Sequence, residues 1–269
     1  MERPPPARRI LGHRVDATTY ADAAARTVAW AQALEASAAC GASEPGPVHG
    51  RTVLVANTHM LDLAARDAAL ASALDGADLV TPDGVPVVWA LRALGVRTAT
   101  RVYGPDLTLA TCAAAAAAGV PVGLHGGRPE VLRDLVARLT AERPDLRVAY
   151  ADAPPRRPAT PVDAAAEARE AAAIRASGAR IVFIGLGCPK QEAWMARQVV
   201  RIPAVLIGVG AAFDLLAGHV RQAPAWLQRA GLEWAFRLAM EPRRLAGRYL
   251  RHNPRFAVRF AGQLVRGER

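Results

Sequence analysis

The stretch VFIGLGCPKQEAWM, residues 182–195, decides the fold of this chain. Its first half is an apolar run typical of a buried strand, and the run ends at Gly185 and Gly187. Pro189 then suits the first turn of a helix, and polar residues crowd the predicted helix start. A strand that leads through glycines into a helix is a unit of parallel α/β sheets.

The same alternation continues along most of the chain. Apolar runs that end in small or polar residues alternate with alanine-rich segments of helix length, including the six alanines 113–118. The predicted strands are 51–57, 120–127, 146–151, 180–187 and 204–210. This order predicts an α/β fold, with a Rossmann-like, mostly parallel sheet flanked by helices. Ligands of such sheets bind beyond the carboxyl ends of the strands.

The charge of the chain is concentrated at one end. The 269 residues carry a formal net charge of +10, and 52% of them are hydrophobic, which is enough for a sizeable core. Residues 221–269 hold eleven arginines against three glutamates, a net charge of +8, which leaves +2 for the rest. We therefore expect an α/β domain over 1–220 and an arginine-rich, helical C-terminal appendage over 221–269.

The arginines of the appendage recur at helical spacing. The positions are Arg244, Arg248, Arg251, Arg255 and Arg259. They predict a basic helix face beside apolar residues, interrupted at Pro254, that binds an anionic membrane surface. The alternative is an ordinary solvated helix packed on the core.

The cysteines and the apolar segments indicate in which cellular compartment the protein works. Cys40, Cys112 and Cys188 are odd in number and lack metal-ligand spacing. Neither a signal-peptide apolar region nor a stretch long enough to span a bilayer is visible in the sequence. We therefore expect a cytoplasmic protein that is peripheral at the inner face of the cell membrane.

The turn Thr81-Pro82-Asp83-Gly84 follows the apolar residues 77–80 and precedes a predicted helix. Asp83 has two interpretations at this place. Its carboxylate could cap the helix, because short Asp-Gly turns are common. At a strand end of an α/β sheet, it could instead act as a general base on a sugar hydroxyl.

Glycines stand at three other strand ends. They are Gly126, Gly127, Gly185, Gly187, Gly208 and Gly210. Glycine lets the backbone approach a phosphate closely, so these ends predict a nucleotide or diphosphate pocket, with tight turns as the alternative. Beside the second pair, Lys190 is a natural phosphate partner and Gln191 a natural partner for a sugar hydroxyl.

Several longer motifs occur in a familiar order. They are Asn57, 81–84, 101–107, 185–192, 208–218, 231–237 and 241–244. In their order and spacing, the chain resembles the WecG/TagA/CpsF family over about residues 15–256, which is most of its length.

The resemblance implies a reaction. Family members are metal-independent, inverting glycosyltransferases that move a sugar from a UDP-sugar donor to an undecaprenyl-diphosphate-linked sugar. The best-studied members are teichoic-acid enzymes that add N-acetylmannosamine to N-acetylglucosamine. For this chain, the resemblance implies cell-surface polysaccharide or teichoic-acid-type synthesis, with no cofactor and no metal.

The resemblance also assigns roles to residues. Asp83 corresponds to the proposed base that deprotonates the acceptor hydroxyl, and Arg237 and Arg244 correspond to catalytic arginines. The remaining pocket positions that match are Asn57, Arg101, Gln191 and Asp214. Because the sequence holds no Asp-x-Asp metal pair, arginines are expected to stabilise the departing diphosphate.

The sequence departs from the family pattern at Val55, where threonine is frequent, and at Ala246-Gly247, where an arginine is expected. The alternatives from other classes are a nucleotide-binding oxidoreductase and a basic nucleic-acid-binding protein. Phe213 stands at the third glycine position of the dinucleotide fingerprint, so the sequence does not match the pattern expected of the oxidoreductase. The basic appendage is the only feature that supports the nucleic-acid-binding alternative. We therefore expect no nucleic-acid partner, and the oligomeric state stays open, with a homo-oligomer among the options.

Overall fold

The computed structural model describes residues 4–39, 49–155, 162–224, 226–227 and 232–268, without the side chains of Ala38, Ala39, Arg244 and Arg248. Cys40 and Gly231 lie outside the described residues. The strands are β1 (Ala7–Ile10), β2 (His13–Asp16), β3 (Arg51–Ala56), β4 (Leu79–Pro82), β5 (Val122–Gly126), β6 (Val148–Asp152), β7 (Ile181–Gly185) and β8 (Val205–Gly208). The helices are α1 (Tyr20–Ala39), α2 (Thr58–Ala64), α3 (Ala68–Asp75), α4 (Val85–Ala93), α5 (Gly104–Ala117), α6 (Pro129–Glu142), α7 (Ala164–Ser177), α8 (Lys190–Gln198), α9 (Ala212–Leu216), α10 (Glu233–Met240) and α11 (Pro242–Val265).

Six strands form one parallel sheet in the order β4-β3-β8-β7-β5-β6. The prediction of a parallel α/β sheet flanked by helices is therefore confirmed, and each of the five predicted strands overlaps an observed one. Successive residues of β7 point to opposite faces of the sheet. Val182 and Ile184 pack into the core on one face, whereas Ile181 and Phe183 pack into the core on the other.

The helices cover both faces of the sheet. Helices α2, α3, α4 and α8 contribute buried residues to the first core, and α1, α5 and α6 contribute to the second. Burial on both faces explains why the strands read as continuous apolar runs.

The order of the strands creates a crevice between β5 and β7. From β5 the chain continues through α6 to β6 on one side, whereas from β7 it continues through α8 to β8 on the other side. Strand connections that diverge in this way open a cleft at the carboxyl ends of the two strands, which is where open α/β sheets bind ligands. Gly126 ends β5 and Gly185 ends β7 at this cleft.

An antiparallel hairpin of β1 and β2 was not predicted from the sequence. Its turn residues Leu11 and Gly12 both have positive φ angles, 52° and 92°. Turns of this kind favour Asn-Gly, because a residue with a Cβ atom is strained at positive φ. Because leucine occupies the first turn position, the sequence carries no Asn-Gly signal for this hairpin.

Helix α11 runs without interruption through Pro254, so the expected break at this proline is wrong. A proline removes the hydrogen bond to the carbonyl four residues earlier, which belongs to Leu250. The side chains of both residues are exposed, and water can satisfy a carbonyl on the solvent side of a helix. On the other side of α11, Phe256 is 4% exposed and joins the first core.

The end of α11 also contacts the hairpin. The Gln263 amide accepts a hydrogen bond from Leu11 N at 2.8 Å and donates one to the Arg9 carbonyl at 2.7 Å. Across the described ranges, no helix combines the length and apolar character that crossing a bilayer requires.

Candidate active site

A cavity of about 120 Å³ opens beyond the carboxyl ends of β3 and β4, and we call it the aspartate cavity. It brings together residues that are far apart in the sequence. Six of the residues that line it are Asn57, Asp83, Arg101, Tyr103, Glu233 and Arg237. Four of these six, namely Asn57, Asp83, Arg101 and Arg237, are predicted site residues.

Asp83 lies directly after β4, and its backbone N–H donates a hydrogen bond to the Ala56 carbonyl at 2.8 Å. The N-cap position of α4 belongs to Gly84, whose φ angle is 92°, and none of the described side chains caps this helix. Asp83 therefore does not serve as the helix cap. Its carboxylate faces the cavity instead, with 17% of the side chain exposed.

The electrostatic surroundings of Asp83 are mixed. Burial raises the pKa of its carboxyl above the ordinary value; Arg101 and Arg237 oppose this rise, and the charge of Glu233 reinforces it. A carboxylate with a raised pKa is a stronger base than one in water, provided that it is ionised at the working pH.

Arg101 lies between two carboxylates. Its Nε atom is 3.4 Å from Asp83 Oδ1, and its Nη1 atom is 2.7 Å from Glu233 Oε2. The guanidinium carbon lies 4.1 Å from the centre of the Tyr103 ring, a cation–π geometry. Although burial disfavours its charge, the two carboxylates raise the pKa of Arg101, which is therefore a permanent cation.

The loop that carries Arg101 is fixed by the backbone N–H groups of the two residues that follow it. Val102 N donates to the Pro82 carbonyl at 2.9 Å, next to the Asp83 turn. Tyr103 N donates to the Tyr20 hydroxyl at 3.1 Å. The positions of Arg101 and Asp83 are thus set together.

Helix α10 of the appendage closes one side of the cavity. Glu233 and Arg237 are four residues apart and therefore lie on the same face of the helix. Arg237 Nε is buried and has no hydrogen-bond partner within the described part of the chain. The side chain of Arg244, the second predicted catalytic arginine, lies outside the described residues, although its backbone belongs to α11.

Asn57 combines a structural and a cavity position. Its Oδ1 atom accepts a hydrogen bond from Met60 N at 3.1 Å and so caps α2. The cap orients the asparagine side chain at the rim of the cavity.

A second cavity, of about 440 Å³, lies in the crevice between β5 and β7, and we call it the crevice cavity. Five of the predicted residues line it: Gly127, Gly185, Gly187, Lys190 and Asp214. Helix α8 begins here at Lys190, so its N-terminus faces the cavity. On the opposite wall, Arg128 Nη2 lies 3.1 Å from Asp214 Oδ1.

Two of the glycines have a packing role. A Cβ atom on Gly126 would lie 2.7 Å from the Gly185 carbonyl carbon, and one on Gly185 would lie 2.7 Å from the Phe213 ring. Close packing thus accounts for both residues without a ligand. Gly187 differs, because a Cβ atom there would meet nothing within 4 Å while its φ angle is 81°.

Gln191 packs against the end of β8 and lines neither of the two cavities. It is 3% exposed, its Oε1 atom accepts a hydrogen bond from Gly210 N at 3.0 Å, and its Nε2 atom donates to Glu192 at 2.6 Å. A Cβ atom on Gly208 would lie 3.0 Å from the same Nε2 atom. These three predicted residues therefore form a packed unit, and a sugar contact by Gln191 stays a prediction.

Sequence reasoning missed two groups of the aspartate cavity. Glu233 stands within the motif 231–237, but no pattern in the sequence placed its carboxylate opposite Arg101. Tyr103 stands two residues after Arg101, where its ring supports the guanidinium. Among the described residues, no group of three or more histidine, cysteine, aspartate or glutamate side chains could hold a metal ion.

The fold and the two cavities define an α/β protein with cavities along the carboxyl edge of a parallel sheet. The model of the Glycosyl transferase WecG/TagA/CpsF family matches residues 8–269. The chain therefore belongs to this family and is a glycosyltransferase, as its motifs predicted. The family indicates a nucleotide-sugar donor, a lipid-linked acceptor and a place in the synthesis of cell-wall polysaccharide.

Proposed function

We propose that this protein transfers a sugar similar to N-acetylmannosamine from a UDP-sugar to an undecaprenyl-diphosphate-linked sugar, with inversion and without a metal. The observation that carries the proposal is the contact of Asp83 with Arg101 in a cavity that Arg237 also lines. A base and two cations therefore share one cavity, where the base is proposed to face the acceptor hydroxyl and a cation the diphosphate of the donor.

Asp83 is the general base of this reaction. Its carboxylate takes the proton of the acceptor hydroxyl while the hydroxyl oxygen attacks the anomeric carbon of the donor. The bond from that carbon to the UDP oxygen breaks, and both electrons of the bond leave with the diphosphate. A single displacement of this kind inverts the anomeric centre, and the raised pKa of Asp83 supports its role as the base.

The departing diphosphate gains negative charge, which cations must stabilise if no metal does so. Arg237 is suited to this task, because its buried Nε–H has no hydrogen-bond partner among the described residues and its side chain lines the cavity. Carboxylates and phenols around it raise its pKa despite its burial, which keeps it charged. Arg244, which lies near the start of the next helix, α11, is proposed to add a second cation.

The crevice cavity is proposed to hold the nucleotide. It lies where the strand connections diverge, and the N-terminus of α8 directs backbone N–H groups towards it. Gly187 leaves open space at this helix start, and Lys190 lines the same cavity. The acceptor sugar then enters the aspartate cavity, with the donor sugar bridging the two.

Helix α11 is proposed to hold the protein at the inner face of the membrane. Arg251 and Arg255 are exposed, and so are the apolar side chains of Leu250 (74%) and Val258 (73%). Exposed arginines beside exposed aliphatic residues suit the headgroup region of an anionic bilayer. A lipid-linked acceptor would reach the aspartate cavity from that surface.

The test is a transfer assay with a panel of UDP-sugars and a short-chain polyprenyl-diphosphate N-acetylglucosamine. Mass spectrometry reads out the product, and NMR reads out its anomeric configuration. We expect one added N-acetylhexosamine with inverted configuration, with the highest rate for UDP-N-acetylmannosamine. No product with any UDP-sugar, or a product with retained configuration, would overturn the proposal.

Calorimetry separates the transferase from the two alternatives named above. We expect UDP to bind, and NAD and oligonucleotides not to bind. Tight binding of NAD would favour an oxidoreductase, and tight, salt-dependent binding of an oligonucleotide would favour a nucleic-acid-binding protein.

A further inference from the structure

Arg101 joins two parts of the chain that are more than a hundred residues apart. One side of its guanidinium contacts Asp83, which follows β4, and the other side contacts Glu233, the first residue of α10. The contact with Glu233 is the shorter one, at 2.7 Å against 3.4 Å. Only 10% of the Glu233 side chain is exposed, so this carboxylate is committed to the cavity rather than to solvent.

We propose that Glu233 is a positioning residue for catalysis, because it engages Arg101 from α10 and so prevents this arginine from pairing fully with Asp83. This inference rests on the proposed role of Asp83 as the base. Guanidinium groups favour bidentate pairing with a carboxylate. If Glu233 did not occupy Nη1, Arg101 could turn both donors towards Asp83 and weaken it as a base.

The charged and titratable groups around Asp83 come from several elements. Arg101 and Tyr103 belong to the loop before α5, Glu233 and Arg237 belong to α10, and His59 and Tyr249 line the cavity from α2 and α11; the Arg244 side chain lies outside the described residues. Among the described residues that line this cavity, Glu233 is the one acidic neighbour of Asp83. Its charge raises the pKa of Asp83. In the proposed role, its contact with Arg101 at 2.7 Å also limits the lowering effect of that arginine.

Helix α10 therefore delivers two functions from one face. Glu233 keeps the base strong, and Arg237, one turn later, supplies a cation for the diphosphate. When α10 is displaced, Asp83 is left with Arg101 as its partner, and both functions are lost together. The packing of α10 against the cavity therefore determines both how strong a base Asp83 is and whether Arg237 is available to the leaving diphosphate.

The experiment compares the full-length protein with its Glu233→Gln variant, which keeps the shape of the side chain and removes the charge. The ionisation of Asp83 is measured without substrate, from the carboxyl ¹³C shift in protein labelled at aspartate, with Asp83→Asn to assign the signal. The pH profile of kcat is measured in parallel. The matched control is Glu142→Gln, which also removes a glutamate from an arginine ion pair, to Arg138 at 2.8 Å, far from either cavity.

We expect the pKa of Asp83 to fall in Glu233→Gln, because a negative neighbour is lost and Arg101 is released towards Asp83. The acid limb of kcat should then move to lower pH, and the kcat plateau should fall by ~10-fold as the base weakens, with the donor KM unchanged. Glu233→Asp should keep the pKa of Asp83 near that of the parent, which separates loss of charge from loss of packing. Glu142→Gln should change none of these values.

An unchanged or higher pKa of Asp83 in Glu233→Gln would overturn the inference. If Glu233→Gln fails to fold, Glu233→Asp decides instead: a pKa of Asp83 that falls despite the retained charge would contradict the proposal. A different result would contradict the proposed function. An Asp83→Asn variant with full activity would remove the base role, while the shift of the Asp83 carboxyl would still report the contact network.

Discussion

His252 Nδ1 lies 2.7 Å from Asp62 Oδ2, and this contact fastens α11 to α2. The Asp62 side chain is 1% exposed and also pairs with Arg66 at 2.8 Å and with Arg259 at 3.4 Å. The next residue along the chain is Asn253, whose Oδ1 atom accepts a hydrogen bond from Thr58 Oγ1 at the aspartate cavity. The anchor at Asp62 therefore stabilises the wall of the cavity that the appendage supplies.

Asp62→Asn should lower the free energy of unfolding by about 1–3 kcal/mol, because His252, Arg66 and Arg259 lose a buried, charged acceptor. Denaturant unfolding measures the change. Asp134→Asn is the matched control, because Asp134 also pairs with a histidine, His219, at 2.9 Å, but at the surface. This control should change stability little, and equal losses in the two variants would contradict the role of the buried anchor.

The Asp62 contacts also predict a pH dependence. Burial alone would raise the pKa of Asp62, but His252 and Arg66 outweigh it and lower the pKa below the ordinary 3.8. The stabilisation is therefore present above the pKa of the unfolded carboxyl and is lost as the pH falls through the lower folded value. The parent protein should lose more stability than Asp62→Asn on acidification below about pH 4. Parallel curves for the two proteins would contradict this assignment.

Reversal of charge at Arg251 and Arg255 should weaken binding to anionic vesicles. Each basic residue near such a surface contributes about 1 kcal/mol, so the double change to glutamate should reduce partitioning by more than tenfold. Sedimentation with vesicles of phosphatidylglycerol and phosphatidylcholine measures the effect. Arg133→Glu, at an exposed arginine of α6, should leave partitioning nearly unchanged. Equal binding by the double variant and the parent would remove α11 as the membrane contact.

Arg237→Ala should reduce kcat by about 10²- to 10³-fold, the usual effect of removing one donor to a developing negative charge. Vesicle binding should stay near the parent value, because one charge among many is lost. Arg251→Ala on a water-soluble acceptor is the control, since this arginine is exposed on α11. A kcat within a few-fold of the parent for Arg237→Ala would mean that other residues stabilise the charge of the leaving diphosphate.

Transfer should continue in EDTA, because arginines take the place of a cation in the proposed mechanism. The rate is measured with and without the chelator, and then with added Mg²⁺ or Mn²⁺. Loss of activity in EDTA and its return with either ion would show that the reaction needs a metal ion, which would contradict the proposed mechanism.

The sequence predicted the sheet well because each buried strand ends in small residues before a helix. The role of the glycines was harder to predict. For Gly185 the sequence suggested a phosphate contact, whereas the structure shows a close packing contact with Phe213, which spacing along the chain cannot predict. The carboxylate of Glu233 was not predicted, since its partner Arg101 lies far away in the chain and spacing carries no information about such pairs.

The central claim is that Asp83 takes the proton of the acceptor. The most direct test is the single-turnover rate of sugar transfer by Asp83→Asn, with UDP affinity measured on the same preparation and Asp145→Asn as an exposed control. We predict a rate lower by about 10²- to 10⁴-fold, with UDP affinity and the control rate nearly unchanged. A transfer rate within a few-fold of the parent, at unchanged UDP affinity, would contradict the account.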